Sequence, residues 1–153
     1  MDADGRAYDA YVQDPNSAAP LFYFGSGLSF TTFELADLSV TRGAADSPVA
    51  ATVAVTVRNT GSLAGSTVVQ VYVRDPIGAS NVVRPWKRLV AFRRTDSLAA
   101  GASVQVTVEI LGEDLAVHDD AMAFAVVPGS YLVSVTEQSS NDEGVLQQDL
   151  VVE

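Results

Sequence analysis

An all-β sandwich with an extended N-terminal arm is the fold that this sequence predicts. Apolar residues return at every second position in several stretches, most plainly Val104, Val106, Val108 and Ile110 against Ser103, Gln105, Thr107 and Glu109, which is the period of a strand with one buried face. Turn residues punctuate the chain about every 8 to 12 positions. No segment reads as a convincing amphipathic helix. Together these give about seven or eight short strands in a Greek-key sandwich of the immunoglobulin or fibronectin type III kind, with a barrel as the alternative.

Residues 1–32 form the arm and residues 33–153 the sandwich. The first twenty residues are rich in Asp, Ala, Pro and Asn and show no periodicity, with Tyr8 and Tyr11 available for docking. Next, Leu21, Phe22, Tyr23, Phe24 and Phe30 crowd around Gly25 and Gly27. So much aromatic surface requires a partner, either the sandwich itself or a surface outside this chain.

The strands follow in order. Phe33–Val40 reads as the first, with Leu38 and Val40 inward, and the Gly, Asp, Ser and Pro of 42–48 read as a loop. Val53–Pro76 reads as a half-buried hairpin: Val53, Val55 and Val57 on one strand, Val69, Val71 and Val73 on the other. Asn59-Thr60-Gly61 and Gly65 supply residues that accept positive φ between them, and Asp75-Pro76 ends the second strand. Arg88–Arg94 places Val90 and Phe92 on one face, residues 96–101 turn the chain, and Ser103–Ile110 is the strand described above. Residues 112–120 are a polar connection with one helical turn around Glu113-Asp114-Leu115. Met122–Val127, Tyr131–Thr136 and Val145–Val152 complete the set, with Pro128-Gly129 as a turn.

Composition narrows the functions. The chain has 153 residues, enough for one core-forming domain, and no run nears the roughly 18 apolar residues of a spanning helix. The N-terminus is acidic where a secretory signal would be basic and then apolar, so no export signal is read in it. There is no cysteine, and the net charge is −10. That charge opposes nucleic acid as a partner, since phosphate binding needs Lys and Arg. Neither nucleic acid nor membrane is expected among the partners.

The chemistry-bearing residues are sparse. The pairs Glu113-Asp114, Asp119-Asp120 and Asp142-Glu143 are sequence neighbours in loops, where side chains diverge, and general acid/base work needs two carboxylates converging on a cleft. His118 is the single histidine, so His118-Asp119-Asp120 has no second imidazole to complete a metal set; a serine nucleophile needs a histidine partner in most arrangements, and no Gly-x-Ser-x-Gly elbow is present. No phosphate-binding loop is present. The expectation is no catalytic residue, no cofactor and no metal. Five of the nine basic residues, Arg84, Lys87, Arg88, Arg93 and Arg94, fall within eleven positions that also hold Trp86. They read as strand-flanking arginines over apolar neighbours, with a contact for an acidic partner, or for a sugar at Trp86 and Arg84, as the sharper alternative.

At this point a family resemblance emerges. Residues 20–33, PLFYFGSGLSFTTF, resemble the PLFPFGxGLSYTTF segment that leads into the C-terminal fibronectin type III-like domain of family 3 glycoside hydrolases, the β-glucosidases and β-xylosidases. Asn59-Thr60-Gly61, Ala64-Gly65 and Val68–Val73 resemble its NTGxxAGxxVVQLYV block. Arg84-Pro85, Lys87, Leu89 and Phe92 are similar to RPxKxLxGF, Asp114-Leu115 to the start of DLSFWD, and Pro128-Gly129-Ser130-Tyr131 to PGxY. The departures are Tyr23 for proline, Ser26 for a larger residue, and Val117-His118 for an aromatic followed by Trp. In that family the nucleophilic aspartate and the acid/base residue lie upstream of this domain, so the resemblance implies a non-catalytic accessory module. It implies that Tyr8, Tyr11, Leu21, Phe22, Tyr23, Phe24 and Phe30 face the catalytic domains, in cis or in trans, in a parent that is often secreted or periplasmic. The competing expectation is a free-standing carbohydrate-binding or adhesion module, with polysaccharide as the partner.

Overall fold

In the computed structural model, which describes residues 22–76, 85–118, 122–139 and 145–153, the alternating segments become strands that sort into two antiparallel sheets. In chain order they are β1 (Phe33–Arg42), β2 (Val49–Asn59), β3 (Val68–Arg74), β4 (Arg88–Arg94), β5 (Ser103–Leu111), the single turn α1 (Gly112–Leu115), β6 (Val117–His118), β7 (Phe124–Ala125), β8 (Gly129–Thr136) and β9 (Leu146–Val152). One sheet has the order β1-β2-β5 and the other β4-β3-β8-β9, with β6 and β7 paired as a small ribbon. The chain changes sheet between β2 and β3, between β4 and β5, and on the way to β8, which is Greek-key connectivity.

The core lies where the inner faces meet. Val53 and Val55 stand opposite Val108 and Val106, while Val71 and Val73 stand opposite Val135 and Val133; Val104, inward by its period, pairs with Val57 at the start of β5 but is exposed there. Leu115 from α1 and Leu98 from the turn before β5 join this core. Each fully buried valine contributes roughly 1.5–3 kcal/mol relative to exposure. At the head of β8, Tyr131 is fully buried and its hydroxyl donates to the Val127 carbonyl at 2.6 Å. This is the tyrosine corner of immunoglobulin-like sandwiches.

Three local expectations are corrected. Val53–Pro76 is not a hairpin, because β2 and β3 belong to different sheets and residues 60–67 carry the chain across the sandwich edge. Both strands have inward valines, and alternation cannot tell pairing within a sheet from stacking between sheets. Phe92 does not share a face with Val90: the register shifts between the Val71–Ala91 and Tyr72–Leu89 pairs, so Val90 and Ala91 both pack on the core while Leu89 and Phe92 turn outward. A bulge does the same in β1, where Asp37 adopts φ 54° and the inward set changes phase from Phe33 and Leu35 to Leu38 and Val40. Finally, neither Gly61 nor Gly65 has positive φ. Their lack of a side chain serves close approach instead, since a Cβ on Gly61 would lie 2.3 Å from Thr31 Oγ1.

β1 and β9 run side by side at one edge of the sandwich. There the Gln148 side chain pairs with the β1 backbone, its Oε1 accepting the Val40 N–H at 2.9 Å and its Nε2 donating to the Val40 carbonyl at 3.2 Å.

Candidate interaction surface

The residues before β1 form a strap over one end of the four-stranded sheet, held there by its backbone and by small hydroxyl side chains. Gly25, at φ 83°, turns the chain so closely over β3 that a Cβ would meet Gln70 Nε2 at 2.2 Å. The Phe24 carbonyl accepts the Ser139 N–H at 2.8 Å, and Ser26 Oγ donates to Gln138 Oε1 at 2.9 Å. At the far end of the strap the Thr32 carbonyl accepts the N–H of Thr60 at 2.8 Å.

Asn59 is the hub of this second attachment. It is fully buried, and its Oδ1 accepts the Thr31 hydroxyl at 2.6 Å and the Gly61 N–H at 3.0 Å. Its Nδ2 donates to the carbonyls of Leu63 at 2.7 Å and Leu98 at 2.9 Å. One amide thus ties the strap, the link between sheets and the turn before β5, with every polar position used.

Under the strap the outer face of the sheet is polar and buried. Gln70 donates to the Glu137 carbonyl and accepts the Tyr72 hydroxyl at 2.6 Å. Thr67 donates to the Glu137 carboxylate. Burial pushes the Tyr72 phenol up from its ordinary value, offset in part by a hydrogen bond with Ser139.

The strap's large side chains point the other way. Phe22, Phe24, Leu28 and Phe30 are 77%, 68%, 106% and 95% exposed, and Tyr23 is half-buried. Phe92 on β4 is exposed as well. Of the two partners weighed for the aromatic segment, then, the sandwich covers the backbone and leaves these rings uncovered. Tyr8, Tyr11, Leu21 and Arg84 lie outside the described residues.

Among the described residues the basic cluster does not form one patch. Arg88 turns inward to the buried Asp75 at 2.8 Å, and also donates to the Asp114 carbonyl at 2.9 Å and the Leu115 carbonyl at 3.4 Å, two acceptors that the end of α1 leaves without helical partners. Lys87 Nζ sits 5.2 Å from the Tyr72 ring centroid, Arg93 donates to the Thr107 carbonyl and Arg94 to Ser66 Oγ. Trp86 is half-buried with the Arg74 guanidinium 3.6 Å over its ring. His118 stacks obliquely on Phe124 at 5.2 Å, and among the described residues no group of His, Asp or Glu is arranged to hold a metal ion. Asp119, Asp120, Asp142 and Glu143 lie outside those residues.

A three-plus-four-stranded Greek key with a tyrosine corner defines a fibronectin type III-like sandwich, and comparison with known proteins specifies its kind. Residues 67–139 match the fibronectin type III-like domain model. A β-xylosidase of Formosa agariphila is 35% identical over 81% of this chain, and a β-glucosidase of Bacteroides ovatus 31% identical over 87%. Among solved structures, β-glucosidase 3B of Thermotoga neapolitana, in complex with α-D-glucose, superimposes with a TM-score of 0.74 at 35% identity, covering 86% of this chain and 17% of that one. The family 3 β-glucosidase of Bifidobacterium adolescentis gives 0.73 at 31% identity, covering 88% of this chain and 19% of that one. The chain is a fibronectin type III-like domain of the kind carried by family 3 glycoside hydrolases. It spans 17% and 18% of the length of the two curated relatives named above.

Proposed function

We propose that this chain is a non-catalytic accessory domain that docks on the catalytic portion of a family 3 glycoside hydrolase and supports its β-glycosidase activity. One observation carries the reading: the strap is hydrogen-bonded to the sandwich through its backbone and small hydroxyls, while Phe22, Phe24, Leu28 and Phe30, all within nine positions of it, are exposed. Exposed aromatic clusters of this sort are the usual mark of a contact surface. The relatives support the choice of partner, since each is a glycosidase in which the matching region is a minor part of the length. Carbohydrate binding at Trp86 and Arg84 is the separate reading, and retention on β-glucan with and without Trp86→Ala distinguishes it.

The test uses the purified chain and the catalytic portion of a family 3 β-glucosidase lacking its own such domain. Alone, the chain leaves aryl β-glucosides intact. Mixed with the catalytic portion, it co-elutes with it and raises its melting temperature. Turnover that follows this chain through purification, or failure of the two to associate, would overturn the proposal.

A further inference from the structure

The strap and the outer face of β4 are walls of one open groove of about 1120 Å³, lined by Phe24 and Leu28 from the strap, Leu89, Phe92 and Arg94 from β4, and Glu137 beyond β8. The bulge in β4 is what turns Leu89 and Phe92 to this side. Both ends of the strap are fastened by bonds within the chain: Gly25 fits against Gln70, Ser139 holds the Phe24 carbonyl, and Thr31 and Thr32 are fixed by Asn59 and Thr60. None of these fastenings uses the exposed side chains.

We propose that strap and β4 constitute a single preassembled docking face, latched through Asn59 before any partner arrives, and that its occupant is the catalytic portion of a family 3 hydrolase. This rests on the accessory-domain reading and extends it from the strap to Leu89 and Phe92. The commitment to that occupant comes from the length of the relatives, in which more than four-fifths of the protein lies outside the region this chain matches. A strap ordered only on contact would lose conformational entropy at the moment of binding. A latched one has already met that cost during folding, which raises affinity without adding a contact.

The experiment has two arms. In the first, amide exchange is followed on the free chain at Thr60 and Ser139, whose N–H groups donate to the strap carbonyls of Thr32 and Phe24. Protection at both, lost in Thr31→Val while strand amides stay protected, supports the latch. Fast exchange at both in the unmodified chain overturns it. In the second, binding to the catalytic portion is measured by calorimetry for Phe92→Ser and for Val151→Ser, an exposed residue of β9 that does not line the groove. Loss of about tenfold in affinity for Phe92→Ser, with Val151→Ser unchanged, supports the composite face. Equal affinity for both variants overturns it while leaving the accessory function intact, whereas absence of binding by the unmodified chain overturns the accessory reading itself.

Discussion

The outer faces of the two sheets are built from similar residues and end in different surroundings. On β5, Ser103, Gln105, Thr107 and Glu109 are all exposed. On β3 and β8, Gln70, Tyr72, Ser134 and Thr136 point equally outward and are all buried. Outward and polar is therefore not the same as solvated. The second face carries another layer, and because the strap is held largely through backbone groups and small polar side chains, the residues beneath it must be polar too. An apolar face there would leave the carbonyls and N–H groups of the strap without partners.

The largest effect is expected at Asn59. Replacing it by alanine strips the Leu63 and Leu98 carbonyls and the Thr31 hydroxyl of their buried partner, and we expect a loss of about 3 kcal/mol in urea unfolding. A loss below about 1 kcal/mol would show that the strap end is not organised around this amide. A matched pair sharpens the contrast next: Gln70→Ala is expected to cost about 2 kcal/mol and Gln105→Ala less than about 0.5 kcal/mol, read from the same unfolding midpoints. Equal costs would mean the strap confers nothing on the face it covers.

Tyr72→Phe is a smaller change. At neutral pH the lost bond to Gln70 should cost about 1 kcal/mol. Because the folded state holds the phenolic proton more tightly than the unfolded chain, the associated stability is complete below about pH 10 and declines as pH rises from there toward the higher folded value. Unfolding curves between neutral and strongly alkaline pH should thus fall less steeply for Tyr72→Phe. The smallest effect belongs to Phe30→Ser, which should move the stability of the free domain by less than about 0.5 kcal/mol despite deleting an aromatic ring.

Much of the sandwich was legible from alternation. Val53, Val55, Val57, Val106, Val108 and Ile110 are core residues as the period predicted, because a strand facing one core has no other way to bury its apolar side. Pairing was not legible, and neither were the bulges at Asp37 and Val90: both are decided by partners distant in sequence. The aromatic segment was readable as surface in need of a partner. Its attachment was not, because Asn59 and Gly61 look like turn residues until Thr31 is brought against them. Tyr131 had a visible signal, a tyrosine directly after a Pro-Gly turn at the head of a strand, whose meaning depends on Val127 standing within reach of its hydroxyl.

The contact of Gln148 with Val40 bears on how the molecule behaves in company. An outer strand with free N–H and C=O groups is a template on which a strand from another molecule can begin to pair, and extended pairing of that sort leads to aggregates. On β1 the Gln148 amide occupies both backbone groups of Val40, near the end of the strand, and the Asp37 bulge interrupts the ladder three positions earlier. At that position, therefore, β1 offers an incoming strand no free backbone pair, and the break in the ladder at Asp37 shortens the stretch on which such pairing could begin.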